Sequence, residues 1–189
     1  PEWLVADMAV MAAGGITVPA YTTNTATDHL HILENSGAKL AVVSRPQLAQ
    51  RFLPAAMQAP RLKHVVMMEP LAQRPQSAFP ISTWDEALAT GSQATDDIDA
   101  TVRSLSRTDT ACILYTSGTG GVPKGVMLSH GAILHNCAGA YDLLLELGLD
   151  DEVFLSFLPL SHSYEHTGGQ FLPISLGAEI YYAERVETL

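Results

Sequence analysis

The 189 residues carry 10 Lys and Arg against 20 Asp and Glu, a formal net charge of -10, and 47% of them are hydrophobic. That apolar fraction excludes a disordered chain and suffices for the core of one ordinary domain or a large piece of a bigger one. The charge argues against an unassisted nucleic-acid binder, because phosphate backbones demand clustered Lys and Arg, and no basic stripe is visible.

Cys112 and Cys137 are the only cysteines, and neither sits in a C-x-x-C pair, so neither a disulfide framework nor a zinc knuckle is indicated. A reducing cytoplasmic compartment fits that usage. No apolar run reaches the roughly 18 residues of a membrane span, and the acidic, interrupted N-terminus does not resemble a secretory signal. Peripheral membrane contact and a homodimer stay open. Pro1, Glu2 and Trp3 enter a periodic segment at once, and residues 187–189 read as the lead-in to another helix. The expectation is a piece of a longer protein.

In chain order, Leu4, Val5, Met8, Val10 and Met11 recur at helical spacing over residues 3–13, and Gly14 and Gly15 stop the pattern before an extended stretch at 16–21, which reads as a helix feeding a strand. Thr27 and Asp28 offer a helix start, residues 29–36 continue it, Gly37 ends it, and 39–44 reads as a buried strand. The unit repeats as a helix over 46–57 and a strand over 63–68. Residues 70–109 shift toward Pro, Gln, Ser, Thr and Asp and predict a connecting surface region with one short helix, 83–89, opened by Ser82. Alternation then resumes: strand 111–115, a glycine-rich loop, strand 125–128, helix 129–147, strand 153–158, helix 164–176 and strand 179–183. The fold class this predicts is α/β, a mostly parallel sheet flanked by helices.

The densest chemical signal is Tyr115-Thr116-Ser117-Gly118-Thr119-Gly120-Gly121-Val122-Pro123-Lys124-Gly125. Glycines let backbone N–H groups approach an anion, hydroxyls add donors or a metal ligand, and lysine supplies a mobile positive charge; these are the needs of a polyphosphate cradle. The ordinary phosphate loop of nucleoside triphosphatases would place Gly at 123 and Ser or Thr at 125, where this chain has Pro123 and Gly125.

Residues 115–125 resemble the signature loop of the adenylate-forming, AMP-binding superfamily, written Y-T-S-G-T-T-G-x-P-K-G, with Gly120 in place of the second threonine. Leu158-Pro159-Leu160-Ser161-His162-Ser163-Tyr164-Glu165 is similar to the L-P-L-x-H-x-x-E segment of long-chain acyl-CoA synthetases, and His166 follows where relatives often carry Arg. Met11-Ala12-Ala13-Gly14-Gly15-Ile16-Thr17-Val18-Pro19-Ala20 resembles an early block of the same family.

The resemblance implies part of the large N-terminal domain of an ATP- and Mg²⁺-dependent fatty acid–CoA ligase, with coenzyme A as co-substrate and no C-terminal lid domain in the chain. It implies Thr116 as a magnesium ligand and Ser117, Gly118, Thr119, Gly120, Gly121 and Lys124 as the phosphate grip, the Gly120 position without the usual hydroxyl. Lys124 and His162 become the catalytic candidates. His162 would orient the substrate carboxylate and His166 would stand beside the acyl tunnel, each weighed against simple packing, as is Glu165. Phe171, Leu172 and Ile174 could line an acyl pocket or belong to ordinary core. Within the superfamily the alternative is an aryl, short-chain or amino-acid adenylating enzyme. A distant alternative is a zinc peptidase, since residues 162–166 also spell H-x-x-E-H, although no third ligand follows.

Overall fold

The computed structural model describes residues 2–116, 121–148 and 152–183. Helix α1 (Glu2–Ala12) opens the chain. Helix α2 (Ala26–Ser36) starts two residues earlier than its sequence signal. Thr25 is the N-cap, and a reciprocal capping box joins the Thr25 side chain to the Asp28 N–H and the Asp28 carboxylate to the Thr25 N–H. Those bonds hold the Asp28 carboxyl below its ordinary range. Gly37 closes the helix, as expected.

Strand β1 (Leu40–Val43), helix α3 (Pro46–Ala56) and strand β2 (His64–Met67) repeat the unit, and β3 (Ile81–Thr83) adds a third strand. The three pair in parallel in the order β1-β2-β3, with Ala41 beside Val65 and Val65 beside Ile81. Their core gathers Leu33, Phe52, Leu62, Val65, Met67 and Ile81 with small alanines between them. β2 is the central strand, and Val65, Val66 and Met67 are buried in succession, as a strand covered on both faces requires.

The region predicted as surface connection is more ordered than its composition suggests. Besides β3 it holds α4 (Trp84–Gly91), capped by Thr83 rather than by Ser82, and α5 (Ile98–Ser104), opened by the Asp97 carboxylate accepting the Ala100 N–H. A three-residue strand and a seven-residue helix are too short to show a period above the polar background.

Strand β4 (Thr110–Thr116) and strand β5 (Lys124–Ser129) form an antiparallel pair, an exception to the parallel pattern. The extended stretch at 16–21 does not become a strand. Only Thr17 bridges to Cys112, donating its N–H to the Ala111 carbonyl and accepting the Ile113 N–H. The next donor on that ladder would be Pro19, which has no N–H.

Helix α6 (His130–Leu147) follows, with Ser129 as N-cap. Strand β6 (Val153–Ser156) pairs in parallel with β7 (Glu179–Tyr182). Between them runs a continuous helical segment: α7 (Ser163–His166), a π-helical turn (Thr167–Phe171) and α8 (Leu172–Leu176). Met11, Ala111, Cys112, Leu114, Ile133, Cys137 and Leu172 form a second core that joins α1, β4, α6 and α8. Among the described residues no helix is long and apolar enough to cross a membrane.

Candidate functional site

β4 is buried at Ala111, Cys112, Leu114 and Tyr115 and partly buried at Thr110 and Ile113, and it ends at Thr116, which is exposed. Thr116 lies directly opposite Lys124, and Tyr115 directly opposite Gly125, in the antiparallel register. Opposed residues share a sheet face, and faces alternate along a strand. Thr116 and Lys124 therefore stand together on one face at the mouth of the loop, both exposed, while Tyr115 turns to the other face and is 5% exposed. Among the described residues Lys124 makes no ion pair. Gly121 is described, with a left-handed φ of 83°. Ser117, Gly118, Thr119 and Gly120 lie outside the described residues.

The glycine that ends the motif has a packing role. A Cβ on Gly125 would sit 2.8 Å from Ile113 Cγ2 and 3.2 Å from Tyr115 Cζ, so any larger residue collides with the ring laid across the ladder. The phenol of Tyr115 donates to Asn35 Oδ1 at 2.6 Å, and its burial raises the hydroxyl's pKa, so it stays a donor.

His162 is the N-cap of α7 and is exposed. Its Nδ1 accepts the Tyr164 N–H at 3.2 Å. In the neutral ring that acceptor role requires the proton on Nε2, which leaves an outward donor at the C-terminal side of β6. No hydrogen bond among the described residues joins the His162 side chain to Thr116 or Lys124.

His166 goes elsewhere. It is fully buried, with Nε2 2.9 Å from Asp7 Oδ2, Nδ1 3.9 Å from Cys112 Sγ, and its ring edge-on to Trp3 and Phe171. Gln170 Nε2 donates to the same Asp7 oxygen at 3.0 Å. Burial, with the Asp7 charge beside it, pushes the Cys112 thiol up to about 12.

Glu165 is equally enclosed and caps the end of a strand. Its Oε1 accepts the Ser156 hydroxyl at 2.6 Å and the Phe157 N–H at 3.1 Å, which takes residue 157 out of the ladder and ends β6 before the predicted residue 158. Gly169 packs flat on that carboxylate: a Cβ there would lie 2.5 Å from Glu165 Oε1. In the H-x-x-E-H pattern, His166 is thus spent on Asp7 and Glu165 on the strand end. Among the described residues no cluster of three or more His, Cys, Asp or Glu is placed to hold a metal ion.

An apolar cavity of about 400 Å³ opens between α6, β6 and the following helix, lined by Leu143, Leu144, Phe154, Leu155, Tyr164 and Leu172 among others. Leu172 thus faces both cavity and core, Phe171 packs on His166, and Ile174 is 40% exposed.

Sequence reasoning missed Asp7, Gln170, His31 and Asn35. Asp7 had a signal, an acid set among the apolar residues of α1. His31 and Asn35 had none, since polar residues on a helix face usually meet water.

The chain is thus an α/β body whose strands β4 and β5 flank a glycine- and hydroxyl-rich sequence, with an exposed threonine and lysine opposed where the two strands meet it. Comparison with known proteins gives the family: the model of the AMP-binding enzyme family matches residues 1–189, and the chain belongs to that family. It is 32% identical over 189 residues to the long-chain-fatty-acid–CoA ligase ACSBG2 of Gallus gallus, covering 97% of this chain and 24% of that protein. Against its counterpart in Xenopus laevis the identity is 33% over 188 residues, with 97% and 25% covered. The chain thus spans about a quarter of the length of these relatives. The fold is shared with ATP-bound MatB of Rhodopseudomonas palustris, at a TM-score of 0.69 and 20% identity, over 97% of this chain and 33% of that one.

Proposed function

We propose that this chain is part of the N-terminal domain of an ATP-dependent long-chain fatty acid–CoA ligase, with its phosphate loop at residues 115–125. In this reading the adenine-binding segment and the C-terminal lid lie outside the 189 residues, and the chain alone does not turn over. The observation that carries the proposal is the Thr116–Lys124 pair, exposed side by side at the mouth of the signature loop, in a chain about a third identical to long-chain ligases.

The chemistry follows from charge. A fatty carboxylate oxygen attacks the α-phosphorus of ATP, the bond to the departing pyrophosphate breaks, and an acyl-adenylate forms. The thiolate of coenzyme A then attacks the acyl carbonyl and AMP leaves with the electron pair. Nucleophile and leaving group are both anionic, so the protein must hold the β- and γ-phosphates in line and absorb the charge that develops on them. Lys124 supplies the cation, and Ser117, Gly118, Thr119, Gly120 and Gly121 supply hydroxyl and backbone donors, Gly120 through its N–H only. Thr116 fits Mg²⁺ as a hard hydroxyl oxygen beside the phosphates, and the ion when bound neutralises part of their charge. His162 offers its outward Nε2–H to the fatty carboxylate, and the cavity lined by Leu143, Phe154 and Leu172 accepts apolar chain. His166, the other residue the resemblance assigns to the acyl site, is fully buried against Asp7 and Phe171 and does not line the cavity, so it has no contact with substrate in this reading.

The test is ATP–pyrophosphate exchange and thioester formation by the full-length protein, with fatty acids of graded length against acetate, benzoate and amino acids. Exchange that rises with acyl length supports the proposal. Exchange with benzoate, acetate or an amino acid alone would transfer the protein to an aryl, short-chain or amino-acid adenylating branch.

A further inference from the structure

Both stems of the phosphate loop are held by one helix that lies far from it in sequence. On the entry side, the Tyr115 hydroxyl donates to Asn35 Oδ1 at 2.6 Å. On the exit side, His31 Nε2 lies 2.9 Å from the Pro123 carbonyl oxygen. A carbonyl only accepts, so His31 donates from Nε2. The His31 ring also meets the Tyr115 ring edge to face, with centroids 6.0 Å apart and planes at 85°. His31 and Asn35 are four residues apart on α2, hence one above the other on the same helix face.

The helix that provides this face is itself fixed. It is capped at both ends by Thr25 and Gly37, and its Leu33 is embedded in the first core with Phe52 and Val65. The first core thereby reaches out to a loop that belongs to the second.

We infer that His31 and Asn35 are positioning residues for the phosphate loop, bracing its entry at Tyr115 and its exit at Pro123 so that Thr116 and Lys124 stay opposed across the mouth. The inference rests on the phosphate-binding reading of residues 115–125. An anion that requires Thr116 and Lys124 opposed across the mouth binds with an apparent affinity scaled by the fraction of molecules in which they are. Fixing the two stems from outside raises that fraction without touching the ligand. The brace therefore acts on ATP and leaves the fatty acid alone. The proline is informative as well: Pro123 has a restricted φ and no N–H, so its carbonyl is the one backbone polar group it presents, and His31 takes it.

The experiment uses the full-length protein in fatty-acid-dependent ATP–pyrophosphate exchange, with thermal melts alongside. His31→Leu keeps bulk and removes the donor, His31→Gln keeps a donor, and Tyr115→Phe removes a single oxygen from the entry stem. Each lost bond is expected to raise the KM for ATP about fivefold, the equivalent of one hydrogen bond. The KM for the fatty acid stays within twofold, and His31→Gln recovers ATP binding to within twofold of the parent. The brace is overturned if His31→Leu and Tyr115→Phe leave the KM for ATP unchanged, if both KM values rise together, or if His31→Gln is as defective as His31→Leu. Should His31→Leu not fold, Tyr115→Phe and Asn35→Ala decide the matter by the same criteria. Lys124→Ala separates the two levels: if it abolishes exchange while the brace variants are silent, only the brace is lost, and if it is harmless, the phosphate reading and the brace fall together.

Discussion

The two cores of this molecule are built on different principles. The first, around β1, β2 and β3, is apolar: Val65, Met67, Ala49 and Ala55 are at most 1% exposed, the rings of Phe52 and Phe79 pack with them, and among the described residues no buried charge interrupts them. The second, around β4, α6 and α7, surrounds a polar cluster in which Asp7, His166, Gln170, Glu165 and Ser156 are all at most 5% exposed. An apolar core tolerates any repacking that keeps its volume. A polar cluster demands each partner, because an orphaned buried group forfeits its hydration without replacement. The signature residues sit on the second, and the first supplies a rigid frame from which α2 reaches them.

The contrast can be broken at His166. Leaving one member of a buried, hydrogen-bonded pair without its partner costs about 1–3 kcal/mol, and more where the orphan is charged, so His166→Ala and Asp7→Leu are each expected to destabilise by at least that amount in chemical denaturation. The triple variant Asp7→Leu, His166→Phe, Gln170→Leu, which removes every member of this hydrogen-bonded group, should recover much of the loss. If the single substitutions are as mild as a surface change, the second core is held by shape alone and the contrast fails. Met67→Ala in the first core is expected to cost about 2–5 kcal/mol through the cavity it leaves. That loss should be recovered by a volume-conserving Met67→Leu, a rescue that no apolar residue alone can give at His166.

Gly169→Ala is a smaller probe of the same cluster. Its Cβ would intrude on Glu165, whose carboxylate holds Ser156 and Phe157. An overpacking cost of about 1–3 kcal/mol is expected, with added protease sensitivity near the end of β6.

The smallest effect belongs to the frame. His29 lies edge-on to Phe52, with centroids 5.5 Å apart, and burial lowers its pKa, with Arg51 adding to the shift and Asp28 opposing it. A histidine whose native pKa is depressed takes up its proton first in the unfolded chain. Its stabilising contribution is therefore complete above the ordinary histidine value and is lost as pH falls toward the lower native value. His29→Phe should flatten that part of the melting profile relative to the parent protein, and an unchanged slope would remove His29 from the account.

These features were unevenly legible beforehand. The helices at 26–36 and 46–56 announce themselves through caps, a proline start and apolar spacing, all local signals. The proposed phosphate loop is legible because the chemistry proposed for it needs glycines, hydroxyls and a lysine in one contiguous stretch. The extended stretch at 16–21 was misleading, since its apolar content suits a strand and Pro19 denies it the ladder. His166 and Asp7 meet across 159 positions, and Asn35 and Tyr115 across 80, so no local pattern links them. The antiparallel turn of β5 onto β4 was equally hidden, because a short apolar strand reads the same in either direction.

The most direct measurement is calorimetric binding of ATP and of AMP, with magnesium, to the full-length protein and to its Thr116→Ala, Lys124→Ala double variant. If residues 115–125 hold the triphosphate tail, the double variant binds ATP about a hundredfold more weakly while its affinity for AMP stays within about threefold. Equal ATP affinity in the two proteins, or a parallel loss for ATP and AMP, would contradict the account.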